Sequence, residues 1–395
     1  MTGLWAESEL CNKPYDFACT GVKREKHAVQ VENGYVGAQT DAISNTCTVP
    51  EVRMLRMNGF SLAFAVLAMA CSATPKTAIR SGPGLIASTY PAGSAVERHG
   101  ALRVQGTKLV DRSGAAIQLR GVSSHGLQWY PQFMNASSVA FMAERWHVNV
   151  VRAAMYVTEG GYLTNPTEAT AAVDRVVEAA AKAGVYAVVD WHISASSNDP
   201  LKQLDAAKRF FAQAAARYAG WPHVLYELCN EPSGDDVTWI GNVKPYAKAV
   251  IPVIRAKAPE AVVIVGTTTF SQDVDVAADF PIDLPNVMVA LHVYAGTHGQ
   301  SLRDRAQYAV DHGAALFATE LGTVQANGDG DVNVEETEEW MKFFRQNQIG
   351  WINWSLADKA EGASILRPGA SPQGGWSDAD LTPSGLLVKQ HLLAP

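Results

Sequence analysis

Two short apolar runs in this chain end in glutamate, and those two carboxylates are the groups best suited to do chemistry. The first run is Val224-Leu225-Tyr226-Glu227-Leu228-Cys229, followed by Asn230-Glu231-Pro232. Its apolar start reads as a buried parallel strand, and the proline stops the strand so that the polar pair is left at its tip. The second run is Ala315-Leu316-Phe317-Ala318-Thr319, closed by Glu320. A carboxylate at the mouth of a buried strand is costly unless it is satisfied or used. One alone can be a helix-capping turn. Two strands of the same design place two carboxylates across one pocket. Such a pair can divide the work, one protonated to help a leaving oxygen depart and the other ionised to attack. Arg152 is the natural partner for keeping one of them ionised.

The elements that must position this pair become regular from Ala101 onward. Leu102–Val104 and Leu109–Asp111 flank Gly106 and read as a hairpin. Strands follow at Gln118–Ser123, Asn149–Ala153, Val185–Asp190, Val224–Leu228, Val262–Gly266, Val287–Leu291, Ala315–Thr319 and Gly350–Trp354. Helical stretches separate nearly all of them. The strongest is the amphipathic run Glu168–Ala183, closed by Gly184. Strict alternation of strand and helix over eight strands predicts an α/β fold, a (β/α)8 TIM barrel whose bottom the hairpin closes. A doubly wound open sheet is the alternative. It would usually carry a Gly-rich first turn, and here Gly121 and Gly126 stand isolated.

In a barrel the site lies at the C-terminal ends of the strands. There the chain offers His125 and Trp129, then Arg152, then Asp190-Trp191-His192. Asn230-Glu231, His292-Val293-Tyr294, Glu320 and Trp354 complete the set. Any one of these can be a satisfied structural group, but their convergence on one face points to a site. A three-histidine metal site from His125, His192 and His292 is the rival to two central carboxylates. No HExxH or CxxC pattern, P-loop, dinucleotide fingerprint or Gly-x-Ser-x-Gly elbow is present, so neither a metal nor a cofactor is expected. Two carboxylates with aromatic platforms are the equipment for glycoside hydrolysis.

Residues 101–393 resemble a family 5 glycoside hydrolase, and in detail the bacterial endo-β-1,4-glucanase subgroup. The resemblance rests on an ordered set: Leu119–Trp129, Asn149–Met155, Val189–His192, Asn230–Pro232, Leu291–His298, Thr319–Glu320 and Asn353–Lys359. It implies that Glu231 is the acid/base and Glu320 the nucleophile. Asn230 would hold the sugar's 2-hydroxyl, Arg152 and Tyr294 would orient Glu320, and His192 and His292 would line the central subsite. Trp354 would lie under the reacting sugar, and His125, Trp129, Lys359 and Glu361 would grip sugars on the non-reducing side. The implied partner is a β-1,4-glucan, cut by a retaining mechanism. Mannanase and xyloglucanase are sister activities on the same barrel, and a sugar-binding protein without catalysis is the rival of another class. Two departures stand out. Leu321 follows the nucleophile where the family usually has Trp or Phe, and Cys229 replaces a small apolar residue.

The chain of 395 residues is 47% hydrophobic with a formal net charge of -7, which supplies a sizeable core and no basic footprint for nucleic acid. Of five cysteines only Cys229 lies in the periodic region, which excludes a disulfide framework there. Arg53 and Arg56 precede the apolar run Gly59–Ala70, which ends in an Ala-x-Ala site with Cys71 next. Residues 54–71 therefore read as a signal peptide, and Cys71 as a candidate lipid-anchoring residue. Residues 1–53, ahead of it, are not expected in the natural mature protein. Residues 72–98, rich in Ser, Pro, Gly, Ala and Thr, read as a flexible tether. The expectation is a monomeric catalytic domain over 99–395, secreted or tethered as a lipoprotein of a bacterial cell envelope.

Overall fold

The computed structural model describes residues 90–194 and 198–394. The signal segment, Cys71 and most of the predicted tether lie outside the described residues.

Among the strands a two-stranded antiparallel hairpin comes first, β1 (Arg103–Gln105) and β2 (Lys108–Val110). Eight strands then close a barrel: β3 (Arg120–Ser124), β4 (Val150–Tyr156), β5 (Tyr186–His192), β6 (Val224–Glu227), β7 (Val263–Val265), β8 (Val287–Tyr294), β9 (Leu316–Gly322) and β10 (Gly350–Leu356). Every neighbouring pair is parallel, and β10 pairs with β3 to complete the ring. The main outer helices are α2 (Ala136–Arg145), α3 (Pro166–Ala183), α4 (Leu204–Arg217) and α5 (Lys244–Arg255). Next come the single turn α6 (Thr268–Ser271), α7 (Val274–Asp279), α8 (Gln300–Asp311), α9 (Val334–Asn347) and α10 (Pro383–Leu393). The predicted (β/α)8 architecture is the one observed.

The twofold period of a strand sorts its side chains into layers. On β4, Val151, Ala153 and Met155 point outward into the core shared with the helices. Val150 points inward at the bottom, Ala154 and Tyr156 lie near the top, and the intervening inward position is Arg152. β5 repeats the pattern. Ala187, Val189 and Trp191 pack outward, Tyr186 and Val188 fill the bottom, and Asp190 and His192 occupy the upper positions. On β8, Met288 and Ala290 fill the bottom beneath His292 and Tyr294. The lower barrel is thus a dry plug of Leu119, Val150, Val188, Leu225, Ile264, Phe317 and Ile352. Leu102 and Leu109 join this cluster, so the hairpin closes the barrel bottom as expected.

One boundary differs from the expectation. The tether was expected to run to residue 98, but its last part is built into the domain. α1 (Ala95–His99) is capped by Ser94, whose side chain accepts from the Glu97 amide. Tyr90, Ala95 and Val96 are buried in the barrel-bottom cluster. The Tyr90 hydroxyl meets Nδ1 of His223 at 2.8 Å, and the Val96 amide donates to the Gly184 carbonyl. Gly184 itself takes a left-handed conformation, φ 68°, that ends α3 without a Cβ clash. A helix of five residues leaves no periodic pattern, and so the composition around it dominated the reading.

Candidate active site

The inward positions of β4, β5, β6, β8 and β9 bring a charged cluster together above the apolar plug. Its hub is Arg152, fully buried. Nε donates to Glu227 Oε2 at 2.7 Å, Nη1 to Glu320 Oε2 at 3.1 Å, and Nη2 to Asn230 Oδ1 at 2.6 Å. Nη2 also lies 3.0 Å from Asp190 Oδ2. Burial lowers the proton affinity of the guanidinium, but Asp190, Glu227 and Glu320 outweigh it and hold Arg152 above its ordinary value.

Glu320 is gripped from two sides, since the Tyr294 hydroxyl donates to its Oε1 at 2.7 Å. Tyr294 is set in place by Gly322 on the neighbouring strand, where a Cβ would run into the tyrosine ring. Burial, then the carboxylates Glu320 and Glu231, push the Tyr294 hydroxyl well above the phenol range, so it stays a donor.

Glu231 is more open, with its side chain 22% exposed. Its Oε1 pairs with Nδ1 of His292 at 2.9 Å. The other imidazole nitrogen, Nε2, meets Thr319 Oγ1 at 3.0 Å, and Thr319 donates onward to Glu227 Oε1 at 2.7 Å. Burial opposes a charge on His292, yet Glu320, Glu227 and Glu231 together raise it to about 10. Oxygens of Glu231 and Glu320 and a nitrogen of His292 all lie within 4.8 Å of one another. Nε2 is taken up by Thr319, and the raised proton affinity of the ring opposes a bare Nδ1, so this trio fits proton chemistry better than metal ligation.

His192 takes the opposite state. Burial, then Arg152, lower it to about 3, and its Nδ1 donates to Asp190 Oδ2 at 2.7 Å. Its ring stacks between Tyr156, 4.2 Å away, and Trp354, 5.3 Å away. Trp354 lines the upper barrel at 8% exposure. Trp129 stands 43% exposed at the rim, edge-on to Tyr156 at 4.8 Å and to His125 at 5.8 Å. His125 lies 3.6 Å from Glu361, which also pairs with Lys359. Burial pushes the Glu361 carboxyl up, but His125 and Lys359 more than offset it and hold it low.

All twelve residues singled out from the sequence therefore fall on one face of the barrel in two linked groups. Arg152, Asn230, Glu231, His292, Tyr294 and Glu320 form the centre, while His125, Trp129, His192, Trp354, Lys359 and Glu361 extend from it. Three neighbours were not predicted as site residues: Glu227, Thr319 and Tyr156. The signal for Glu227 was present, because a charge two residues after Leu225 on a buried strand must share its inward face. Leu321 turns away from the site into the outer core, and Cys229 is buried in that outer core as well, its Sγ facing the Gly266 carbonyl oxygen at 4.0 Å. Burial raises the Cys229 thiol, which leaves it un-ionised.

A closed parallel barrel with two glutamates facing each other at the strand ends, one held by a buried arginine and a tyrosine, defines a glycoside hydrolase by its equipment. Residues 110–360 match the model of the cellulase family, glycosyl hydrolase family 5. An endoglucanase of Clostridium saccharobutylicum is 46% identical over 306 residues, covering 77% of this chain and 68% of the relative. Endoglucanase A of Evansella cellulosilytica is 49% identical over 279 residues, 71% of this chain and 57% of its own length. The chain thus spans between 57% and 68% of these two curated relatives. Among solved structures, the cellulase Cel5C_n superposes with a TM-score of 0.75 at 46% identity, covering 78% of this chain and 96% of that one. The catalytic domain of Thermobifida fusca endoglucanase Cel5A, solved as a variant in complex with cellotetraose, gives 0.73 at 36% identity over 76% and 100% of the two chains. The chain belongs to glycosyl hydrolase family 5.

Proposed function

We propose that the protein is a retaining endo-β-1,4-glucanase. One observation carries the reading: Glu231 and Glu320 present carboxylate oxygens within 4.8 Å of each other. A retaining pair stands about 5–5.5 Å apart, whereas an inverting pair needs about 6.5–9.5 Å to admit a water. Glu320, held by Arg152 and Tyr294, attacks the anomeric carbon. Glu231 gives its proton to the departing glycosidic oxygen, then takes one from the water that hydrolyses the glycosyl-enzyme. Asn230, fixed by Arg152 at its Oδ1 and giving one Nδ2 hydrogen to the Ile193 carbonyl, keeps its second Nδ2 hydrogen for the sugar's 2-hydroxyl. Trp354 and the exposed Trp129 offer flat faces to β-linked glucose. The names of the relatives, and the cellotetraose held by one of them, support β-1,4-glucan as substrate.

The two glutamates separate in an azide experiment. Glu320→Ala should lose activity on all substrates and, with azide in the vacated space, give an α-glycosyl azide. Glu231→Ala should still form the glycosyl-enzyme from an aryl β-cellobioside with a good leaving group, and azide should release a β-glycosyl azide. The reverse pattern of anomers would exchange the roles. An inverted product from the unmutated enzyme, seen by NMR early in the reaction, would overturn the mechanism. Relative rates on carboxymethylcellulose, glucomannan and xyloglucan test the substrate.

The proposal extends to location. Arg53 and Arg56, the apolar run Gly59–Ala70 and Cys71 support export with cleavage after Ala70 and a lipid on Cys71. Two acyl chains on one residue hold a membrane stably. Cys71→Ser should then move the enzyme from the membrane fraction to the medium. The enzyme is proposed to act as a monomer, and light scattering of the purified enzyme tests that.

A further inference from the structure

Glu227 lies one layer below the two glutamates, fully buried, with no route to the sugar. Both its oxygens are committed. Oε2 accepts from Arg152, and Oε1 accepts from the Thr319 hydroxyl. A carboxylate can only accept, so the Thr319 proton points at Glu227 and its oxygen lone pairs are left to receive His292 Nε2–H. Nε2 therefore carries a proton. What remains open is Nδ1, which faces Glu231 Oε1 at 2.9 Å. If Nδ1 were bare, it would accept the acid's proton from Oε1, and that proton would face away from the substrate. If Nδ1 carries a proton, it donates to Oε1, and the acid's own proton must sit on the other oxygen.

We propose that Glu227 is a positioning residue for the acid/base, which through Thr319 keeps both nitrogens of His292 protonated and so assigns the Glu231 proton to the oxygen that faces the scissile bond. The proposal rests on the role given to Glu231 above. In the first step the glycosidic C–O bond breaks, its electron pair takes the proton from that oxygen, and Glu320 forms the new bond to the anomeric carbon. Glu231 is left ionised, still held at Oε1 by His292, and ready to take a proton from water. The groups facing His292 fit this account. Glu227 and Glu231 reach it from the end of β6, Glu320 from β9 and Asp190 from β5, with Tyr294 and His298 beyond it on its own segment. Arg152 meets Asp190, Glu227 and Glu320 from β4. Carboxylate oxygens of Glu231 at 2.9 Å and of Glu227 at 3.8 Å flank the ring and favour the second proton, the one on Nδ1, and the raised proton affinity of His292 agrees with that geometry.

Two variants test this, Thr319→Val and Glu227→Gln. Thr319→Val cuts the link to His292 but leaves the Arg152–Glu227 pair. Turnover is measured against pH on cellohexaose and on 2,4-dinitrophenyl β-cellobioside, and nitrogen-15 NMR reads the His292 ring. Thr319→Val should lower kcat on cellohexaose about 100-fold, the scale of a general-acid contribution. The dinitrophenyl substrate, whose leaving group needs no proton, should lose less than about tenfold in the bond-breaking step. In both variants the His292 ring should deprotonate, and the alkaline limb of kcat should fall, about one pH unit lower or more. Glu227→Asp, which retains the charge, should restore part of that limb. If Glu227→Gln does not fold, Thr319→Val alone decides. Equal losses on both substrates, or a His292 ring that titrates as in the unmutated enzyme, would overturn the proposal. An unmutated enzyme that cleaves neither substrate would instead overturn the reading of Glu231 on which it rests.

Discussion

His292 carries a charge that its burial opposes, and the stability of the domain should record it. Its folded proton affinity is raised to about 10 from an ordinary 6.5. The stabilisation is therefore fully present below pH 6.5 and is lost as pH rises toward 10. Glu227 has the opposite sign. Burial would raise it, but Arg152 and His292 pull it below the usual carboxylate value. Its contribution is present above the unfolded value near 4.5 and is lost as pH falls through the lower folded value. Denaturant midpoints measured from pH 5 to pH 10 should decline along the alkaline side, and His292→Gln should flatten that side of the curve. Gly322 gives a second test at this scale. Gly322→Ala pushes the Tyr294 ring off its place, costing about 1–3 kcal/mol of overpacking and weakening its bond to Glu320. A catalytic group moved by about 1 Å can cost about 100-fold, so kcat should fall far more than the melting temperature implies. The catalytic glutamates and Arg152 were legible because each sits at or inside the end of an apolar run. Glu227 and Thr319 were not read as site residues because they precede the strand tips. Their effect passes through other side chains, and pair contacts across strands leave no mark in one sequence.

At the scale of elements, strands were read more accurately than their approaches. Each of the eight barrel strands overlaps its expectation, since a buried parallel strand is a nearly continuous apolar run. Their ends were underestimated at Tyr156, Tyr294 and Gly322, where polar and aromatic site residues break the run while the backbone pairing continues. Signal and tether composition hid the opposite case, the segment from Tyr90 to His99. It seals the barrel bottom through Tyr90, Val96 and the hydrogen bond of Tyr186 to the Gly100 carbonyl. A chain beginning at Tyr90 should fold as the intact domain. One beginning at Glu97 loses three buried side chains, Tyr90, Ala95 and Val96, of which the two larger each contribute roughly 1.5–3 kcal/mol. Its melting temperature should drop by several degrees while kcat on cellohexaose stays near that of the longer chain, because the lost contacts lie beneath the apolar plug. Equal melting temperatures for the two chains would show that the segment only rests against the domain.

The barrel is a ring closed by the last strand of the described residues. β3 pairs with β4 on one side and with β10 on the other, and β10 ends at Leu356. That arrangement gives the chain a timetable. As it leaves the ribosome, one hydrogen-bonding edge of β3 has no partner until Gly350 has been made, some 226 residues after Ser124. At about 5–20 residues per second the interval is roughly 10–45 s, during which a bare strand edge and an apolar plug without Ile352 face the solvent. Export in an unfolded state would remove the hazard, and folding in the cytosol would expose it. A nascent chain stalled before Gly350 should therefore be cut readily by protease and hold a chaperone. The same chain stalled with α10 fully outside the tunnel should resist protease and release it. Protection that appears already with β6 or β7 would mean that half the barrel stands by itself.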